Sequence, residues 1–290
     1  MHIDHYSLPA RDGYPLAVTS LRPERPRFRL LLNAATGVPQ RFYRSFIEHA
    51  AGRGAWVYSY DYRGMGASRA PDWRGAAPCM ADWGRLDLAS LLDHLPGDLP
   101  LALVGHSVGG QLPGLADNVG RVQALLGVAA QSGYWRLWPL RQQPRLALNW
   151  FGVIPLATRL FGQLPGWAIG GEPLPREVAL EWARWCRTPA FISTPDGAPW
   201  RPHFSELRAA ARFLAISDDQ AFAPRRAVEA LMGFYGQAQR ELAVVEPRDW
   251  GLRRMGHFGF FRRDTPAELW DQQLAWLEGA LGLQPARAVA

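Results

Sequence analysis

Lysine is absent from this 290-residue chain, whose 32 basic residues are all arginine. That removes every chemistry that needs a lysine amine: the phosphate-binding lysine of a P-loop, a Schiff base, pyridoxal-phosphate catalysis and a Ser–Lys dyad. The ordinary cause of such usage is a GC-rich genome. Cysteine is scarce too. Cys79 and Cys186 lie far apart and match neither a zinc site nor a Cys-x-x-Cys pair. Both read as small buried hydrophobes rather than as a disulfide. The seven histidines are dispersed, without a His-x-x-x-His pair, so neither a metal nor a cofactor is expected.

Long hydrophobic runs are also missing. No stretch reaches the roughly 18 consecutive apolar residues of a membrane-crossing helix, so stable membrane insertion is not expected. Met1-His2-Ile3-Asp4-His5 lacks the basic and apolar regions of a secretory signal, and the cytoplasm is the expected location. The net charge of +6 is modest, and the arginines are scattered rather than gathered in a stripe. Nucleic acid is therefore not an expected partner.

What is present is globular. Hydrophobic residues make up 48% of the chain, with 13 Trp, 24 Pro and 29 Gly, so a large aromatic core is joined by many turns. The length suits one large α/β domain carrying an insertion. Runs 15–20, 28–33 and 55–60 read as strands, as do 101–104, 124–130, 213–216 and 242–245. Helical spacing marks 42–53, 80–95, 108–116, 225–234 and 265–281, the last with Thr265 as N-cap. The tail after Gly282 carries no periodic pattern. This alternation predicts a mostly parallel twisted sheet with helices on both faces.

The alternation breaks between 131 and 205. This stretch holds Trp135, Trp138, Trp150, Trp167, Trp182, Trp185 and Trp200, and eight Arg against four Asp and Glu. It has helical patches such as 177–186 but no clear strand. The expected organisation is a core of residues 1–130 and 206–290 and an inserted helical cap of residues 131–205. The cap residues Trp150, Phe151, Ile154, Leu156, Leu160, Phe161 and Trp167 would fill the cap's own core or line an apolar cleft below it.

The sharpest signal is Gly105-His106-Ser107-Val108-Gly109, directly after the apolar run 101–104. A serine between glycines two residues to either side, at the tip of a strand and ahead of a helix, is held on a tight turn with its Oγ exposed. A β-carbon at either glycine would meet neighbouring backbone. A serine needs a base to take its proton, and the base needs a carboxylate to orient it. In this arrangement the chain order is serine, acid, histidine. Only His203 and His257 follow Ser107. His203 falls in the insertion, whereas His257 sits in a glycine-flanked loop, Gly256-His257-Phe258-Gly259, between the last strand and the last helix. His257 is the expected base. The acid should follow the strand 213–216, where Asp219 is preferred and Asp218 is the alternative. Two backbone N–H groups must hold the oxyanion. Val108 would supply one, and Asn33-Ala34-Ala35-Thr36-Gly37 the other, with Ala35 first and Thr36 second.

Together these residues resemble the α/β-hydrolase superfamily in its serine-nucleophile form. Asp61-Tyr62-Arg63-Gly64-Met65-Gly66-Ala67-Ser68 is similar to the family's structural loop after the fourth strand. Trp182-Ala183-Arg184-Trp185-Cys186 and Gly256-His257-Phe258-Gly259-Phe260-Phe261 resemble a bacterial branch related to monoacylglycerol-lipase-like serine hydrolases. Asn33-Ala34 departs from the family's usual His-Gly. The resemblance implies a cofactor-independent hydrolase of carboxylic esters, thioesters or similar small-molecule acyl substrates, acting through an acyl-enzyme. The competing readings are an acyltransferase, or a ligand-binding or sensor protein that keeps the triad with little turnover.

Overall fold

The computed structural model describes residues 1–284; the tail beyond them lies outside the described residues. The elements run β1 (His2–Pro9), β2 (Pro15–Arg22), β3 (Phe28–Asn33), α1 (Arg44–Gly52), β4 (Ala55–Tyr60), α2 (Ala89–His94), β5 (Leu101–His106) and β6 (Ala124–Val128). They continue with α3 (Gln143–Leu148), α4 (Ile154–Phe161), β7 (Gln163–Leu164), β8 (Leu174–Pro175), α5 (Arg176–Arg187) and β9 (Ala210–Ile216). The chain closes with α6 (Arg225–Met232), β10 (Gln239–Val245), the single turn α7 (Gly256–Gly259) and α8 (Ala267–Ala280).

Eight strands form one sheet in the order β1-β2-β4-β3-β5-β6-β9-β10. β1 and β2 enter antiparallel. From β4 to β10 every neighbouring pair is parallel. The central strands β3, β5 and β6 are buried at every residue. That is why they read as continuous apolar runs rather than alternating ones. Parallel strands share one C-terminal edge, so the chain leaving β3, β5 and β9 emerges on the same side of the molecule.

Three local expectations need correction. β1 went unread because its His-Ile-Asp-His start is polar; it is an edge strand, and its first four residues are exposed. Residues 108–116 do not form an α-helix. Ser107–Gly110 and Pro113–Leu115 are separate turns of 3-10 helix. Gly109-Gly110 and Pro113-Gly114 explain this, because glycine is a poor helix former and proline lacks the N–H a helix needs. Thr265 is not the N-cap of α8, a place held by Pro266. Its hydroxyl donates instead to the Gly259 carbonyl at 2.5 Å, bracing the His257 loop.

Residues 129–209 leave the sheet after β6 and rejoin it at β9. Within them α3 and α4 are joined through a π-helical stretch, Asn149–Val153, into one rod that packs on α5. The small antiparallel ribbon β7–β8 follows. The loop between β7 and β8 is pinned to the sheet domain by Glu172. Its carboxylate accepts from Arg41 Nη2 at 2.8 Å and from the Gly66 N–H at 3.0 Å. Its own N–H donates to the Gly37 carbonyl at 2.8 Å. This stretch therefore lies against the loop that follows β3.

The turn after β5 is closely packed. A β-carbon at Gly105 would stand 2.4 Å from the Gly109 carbonyl oxygen, and one at Gly109 would stand 2.2 Å from the Asn33 carbonyl oxygen. Backbone on both sides cannot give way cheaply. Gly105→Ala and Gly109→Ala should each lower stability by about 1–3 kcal/mol or more, read as the midpoint of urea unfolding. Midpoints equal to the parent's would show that the turn is looser than described.

Candidate active site

Ser107 directly follows β5 with φ of 52°, in the left-handed region that a serine adopts only at a cost of about 1–3 kcal/mol. The tight approach of Gly109 to β3 holds it there. The residue is 7% exposed, so its hydroxyl has a narrow opening to solvent. The turn that follows is only four residues long. It offers free N–H groups at its start, Val108's among them, rather than the dipole of a full helix.

β9, one strand beyond β6, ends on the same edge of the sheet and delivers the two aspartates, which do different things. Asp219 is 2% exposed, and its Oδ2 lies 2.6 Å from His257 Nδ1. Its Oδ1 accepts the Phe222 N–H at 3.1 Å. Asp218 touches no ring. Its two oxygens accept the main-chain N–H groups of Met255, at 2.9 Å, and Gly256, at 2.8 Å. It thereby grips the loop that presents His257. The structure thus brings Asp219 and His257 together and gives Asp218 the loop. His203 stays apart, with its Nδ1 2.7 Å from Glu206. No hydrogen bond joins Ser107 Oγ to the His257 ring, a contact that commonly tightens only when substrate binds.

Two residues went unrecognised as part of this site. His106, fully buried, has its Nε2 2.9 Å from the His257 carbonyl oxygen and its Nδ1 2.9 Å from Tyr43 Oη. A carbonyl only accepts, so Nε2 carries the proton and Nδ1 accepts from the tyrosine hydroxyl. Tyr43 Oη in turn accepts the Ala35 N–H at 2.8 Å. Burial, and next the neighbouring His257, hold the His106 imidazole well below the ordinary histidine range, so it stays neutral. Burial likewise raises the Tyr43 phenol. The position of His106 beside Ser107 was its only signal in the sequence; Tyr43 had none.

This chain bears on the expected oxyanion donors. The Ala35 N–H, the first choice, is engaged by Tyr43 Oη. Among the described residues the Thr36 N–H, the second choice, has no acceptor.

The cap residues expected to line a cleft divide. Ile154 is buried, and Trp150 is partly buried edge-on to Trp182 at 4.9 Å. Phe151, Leu156, Leu160, Phe161 and Trp167 face outward and are all more than half exposed. The crevice at the His257 loop lies elsewhere, lined by the neighbouring Phe258 but by none of Ser107, Asp219 and His257. It is about 460 Å³ in volume and runs between Val38, Phe42, Phe258 and the Gly170–Glu172 stretch, with Arg41 and Arg262 at its rim. A larger crevice of about 730 Å³ opens by the β1–β2 hairpin and is lined by none of Ser107, Asp219 and His257.

A family model described as "Alpha/beta hydrolase family" matches residues 30–272. The chain belongs to the alpha/beta hydrolase family. Solved structures of the same fold include a monoglyceride lipase variant from Saccharomyces cerevisiae, with a TM-score of 0.64 and 12% identity over 96% of this chain and 94% of that one. An esterase from Exiguobacterium antarcticum aligns with a TM-score of 0.58 and 16% identity over 96% and 100% of the two chains. A thermophilic esterase from Thermogutta terrifontis gives 0.58 and 16% over 96% and 99%. At these identities the likeness is one of fold. No curated protein sequence matches the chain.

For this alpha/beta hydrolase the two aspartates should fail differently. Asp219→Asn should cut hydrolysis of an activated ester by about 10⁴-fold, the usual result of losing the carboxylate that fixes the histidine tautomer. Asp218→Asn turns an acceptor into an N–H₂ facing a backbone N–H and should cost about 1–3 kcal/mol of stability with a smaller loss of rate. Rates and urea midpoints of both variants decide it, and the opposite ranking of rates would give Asp218 the ring.

Proposed function

We propose that this alpha/beta hydrolase is a serine hydrolase of carboxylic esters, thioesters or similar acyl compounds. The observation that carries the reading is the buried 2.6 Å contact between Asp219 and His257 Nδ1, on a loop tied to His106, the residue beside a strained serine. In the proposed cycle His257 Nε2 takes the Ser107 proton as Oγ adds to the acyl carbon. The same proton passes to the departing alcohol or thiol, leaving an acyl-serine. Water, deprotonated by His257, then releases the acid and restores Ser107.

Asp219 holds the imidazole with Nδ1 protonated, so that Nε2 is the acceptor, and stabilises the imidazolium that forms. Val108 N–H would be one oxyanion donor. Thr36 N–H is the better supported second donor, since the Ala35 N–H is engaged. Neither step calls on a cofactor.

A fluorophosphonate probe tests the nucleophile. Labelling should occur on the parent, vanish in Ser107→Ala and fall strongly in His257→Ala, while His203→Ala labels normally. Ester hydrolysis should drop by several orders of magnitude in Ser107→Ala. A Ser107→Ala protein retaining more than a few per cent of the rate would overturn the mechanism. Labelling without turnover on any ester would favour the binding-protein or acyltransferase reading.

The crevice at Val38, Phe42 and Phe258 favours an acyl or alcohol group of modest length over a bare acetyl. Each methylene that it buries should add up to about 0.8 kcal/mol of binding. Across p-nitrophenyl esters of graded length, kcat/KM should rise to a maximum at intermediate length and then fall. A steady decline from acetyl upward would point to a small, polar substrate instead.

A further inference from the structure

The outward face of the α3–α4 rod carries side chains that a solvated helix does not need. Among the described residues, seven of the eleven large apolar side chains that stand exposed lie between 140 and 167. They are gathered in one segment rather than scattered over the chain, and exposed apolar side chains gathered in this way mark an interaction surface. Leu148, Phe151, Leu156 and Leu160 follow one another along the rod, and Phe161 meets Trp167 edge-on at 6.4 Å beyond its end. The opposite face, with Leu146, Ile154, Ala157 and Thr158, is buried against the protein.

The charge in this region has one sign. From 118 to 171 the sequence contains no Asp or Glu, yet it contains Arg121, Arg136, Arg141, Arg145 and Arg159. Arg141, Arg145 and Arg159 are exposed beside the apolar side chains. Among the described residues they and Arg136 make no ion pair; the pairs of the inserted segment lie further on, at Glu172, Arg176–Glu177 and Arg184–Glu181. Arg187 sits over the Phe151 ring at 5.3 Å, adding another guanidinium to the patch.

We propose that this face docks the protein on the surface of an anionic lipid bilayer. Leucine, phenylalanine and tryptophan set among unpaired arginines are what a helix lying in the interface requires. The apolar groups enter the boundary of the acyl chains while the guanidinium groups meet lipid phosphates. A protein partner would more often be met by a patch whose centre is free of charge. No helix of the described residues is long and apolar enough to cross a membrane, so the contact is peripheral.

Co-sedimentation with large unilamellar vesicles tests this, using the Ser107→Ala protein so that turnover plays no part in the readout. The protein should sediment with phosphatidylcholine/phosphatidylglycerol vesicles, and several-fold less with phosphatidylcholine alone or in 0.5 M salt. Leu148→Glu with Leu160→Glu should weaken partitioning at least tenfold. Arg141→Gln with Arg145→Gln should weaken it by about 25-fold, at roughly fivefold per charge. Both pairs lie on the surface and should keep the parent's melting temperature, and each pair tests the face on its own. Three results would overturn the proposal: no sedimentation at millimolar lipid, equal binding to neutral vesicles, or binding that neither pair of substitutions changes. A dimer of the parent that Leu148→Glu with Leu160→Glu makes monomeric, without vesicle binding, would assign the face to a second copy of the chain.

Discussion

Two adjacent carboxylates at the end of β9 hold the candidate site together. Asp218 accepts the N–H groups of Met255 and Gly256, and Asp219 accepts the ring N–H of the next residue, His257. Hydrogen bonds to charged groups are worth about 1.5–3 kcal/mol each. The segment that they fix is loop but for the single turn α7, and it is held further on by Thr265 and Trp270, which donate to the Gly259 and Phe260 carbonyls. Gly256, at φ of 60°, lets the chain turn sharply between the two grips. The carboxylates at the end of β9 thus place the histidine together with the packing of Phe260 and Phe261 against Phe46 of α1. β9 is in turn placed by its parallel pairing with β6, the neighbour of β5, which leads into Ser107.

The second tie runs from the other side. Ala35, Tyr43, His106 and His257 form one line of hydrogen bonds linking the loop after β3 to the backbone of the base. Its direction is forced, because the His257 carbonyl can only accept. A neutral His106 follows, and burial enforces it. The neutrality matters for chemistry. A charged His106, with its ring centroid 5.0 Å from that of His257, would oppose the imidazolium of the proposed mechanism. Kept neutral, it holds the His257 backbone and leaves Asp219 as the charged group against the proposed base.

The elements that were legible in the sequence are those whose pattern follows from burial. β3 and β4 were read to the residue, and the parallel order followed from the alternation. The Gly-x-Ser-x-Gly turn was legible because its glycines have a steric purpose that 2.2–2.4 Å approaches make explicit. The exposed strand β1, the 3-10 turns after Ser107 and the bond from Thr265 to Gly259 were not legible, since local propensity says little about an edge strand or a side chain that reaches across a loop. Spacing alone could not separate Asp218 from Asp219. They differ in direction, one toward backbone and one toward the ring, and direction exists only once the loop is folded. Tyr43 was invisible for the same reason, being 63 residues from the histidine that it meets.

The inserted segment shows what pattern alone cannot decide. Its apolar residues suit a small core or a cleft lining equally well, and the fold adopts neither for five of the seven singled out. The rod turns Ile154, Ala157 and Thr158 inward and leaves Phe151, Leu156 and Leu160 in water. Burial of apolar area favours the reverse arrangement, at about 25 cal/mol per Å². What fixes the orientation is the inner contact: the packing of α4 on α5, with Glu172 holding the next loop against Arg41 and Gly66. That contact takes up Ile154, Ala157 and Thr158 and leaves Phe151, Leu156 and Leu160 outside. The exposed face is thus a property of a seated rod, and its apolar area and unpaired arginines are satisfied together only at a surface that is apolar within and anionic above.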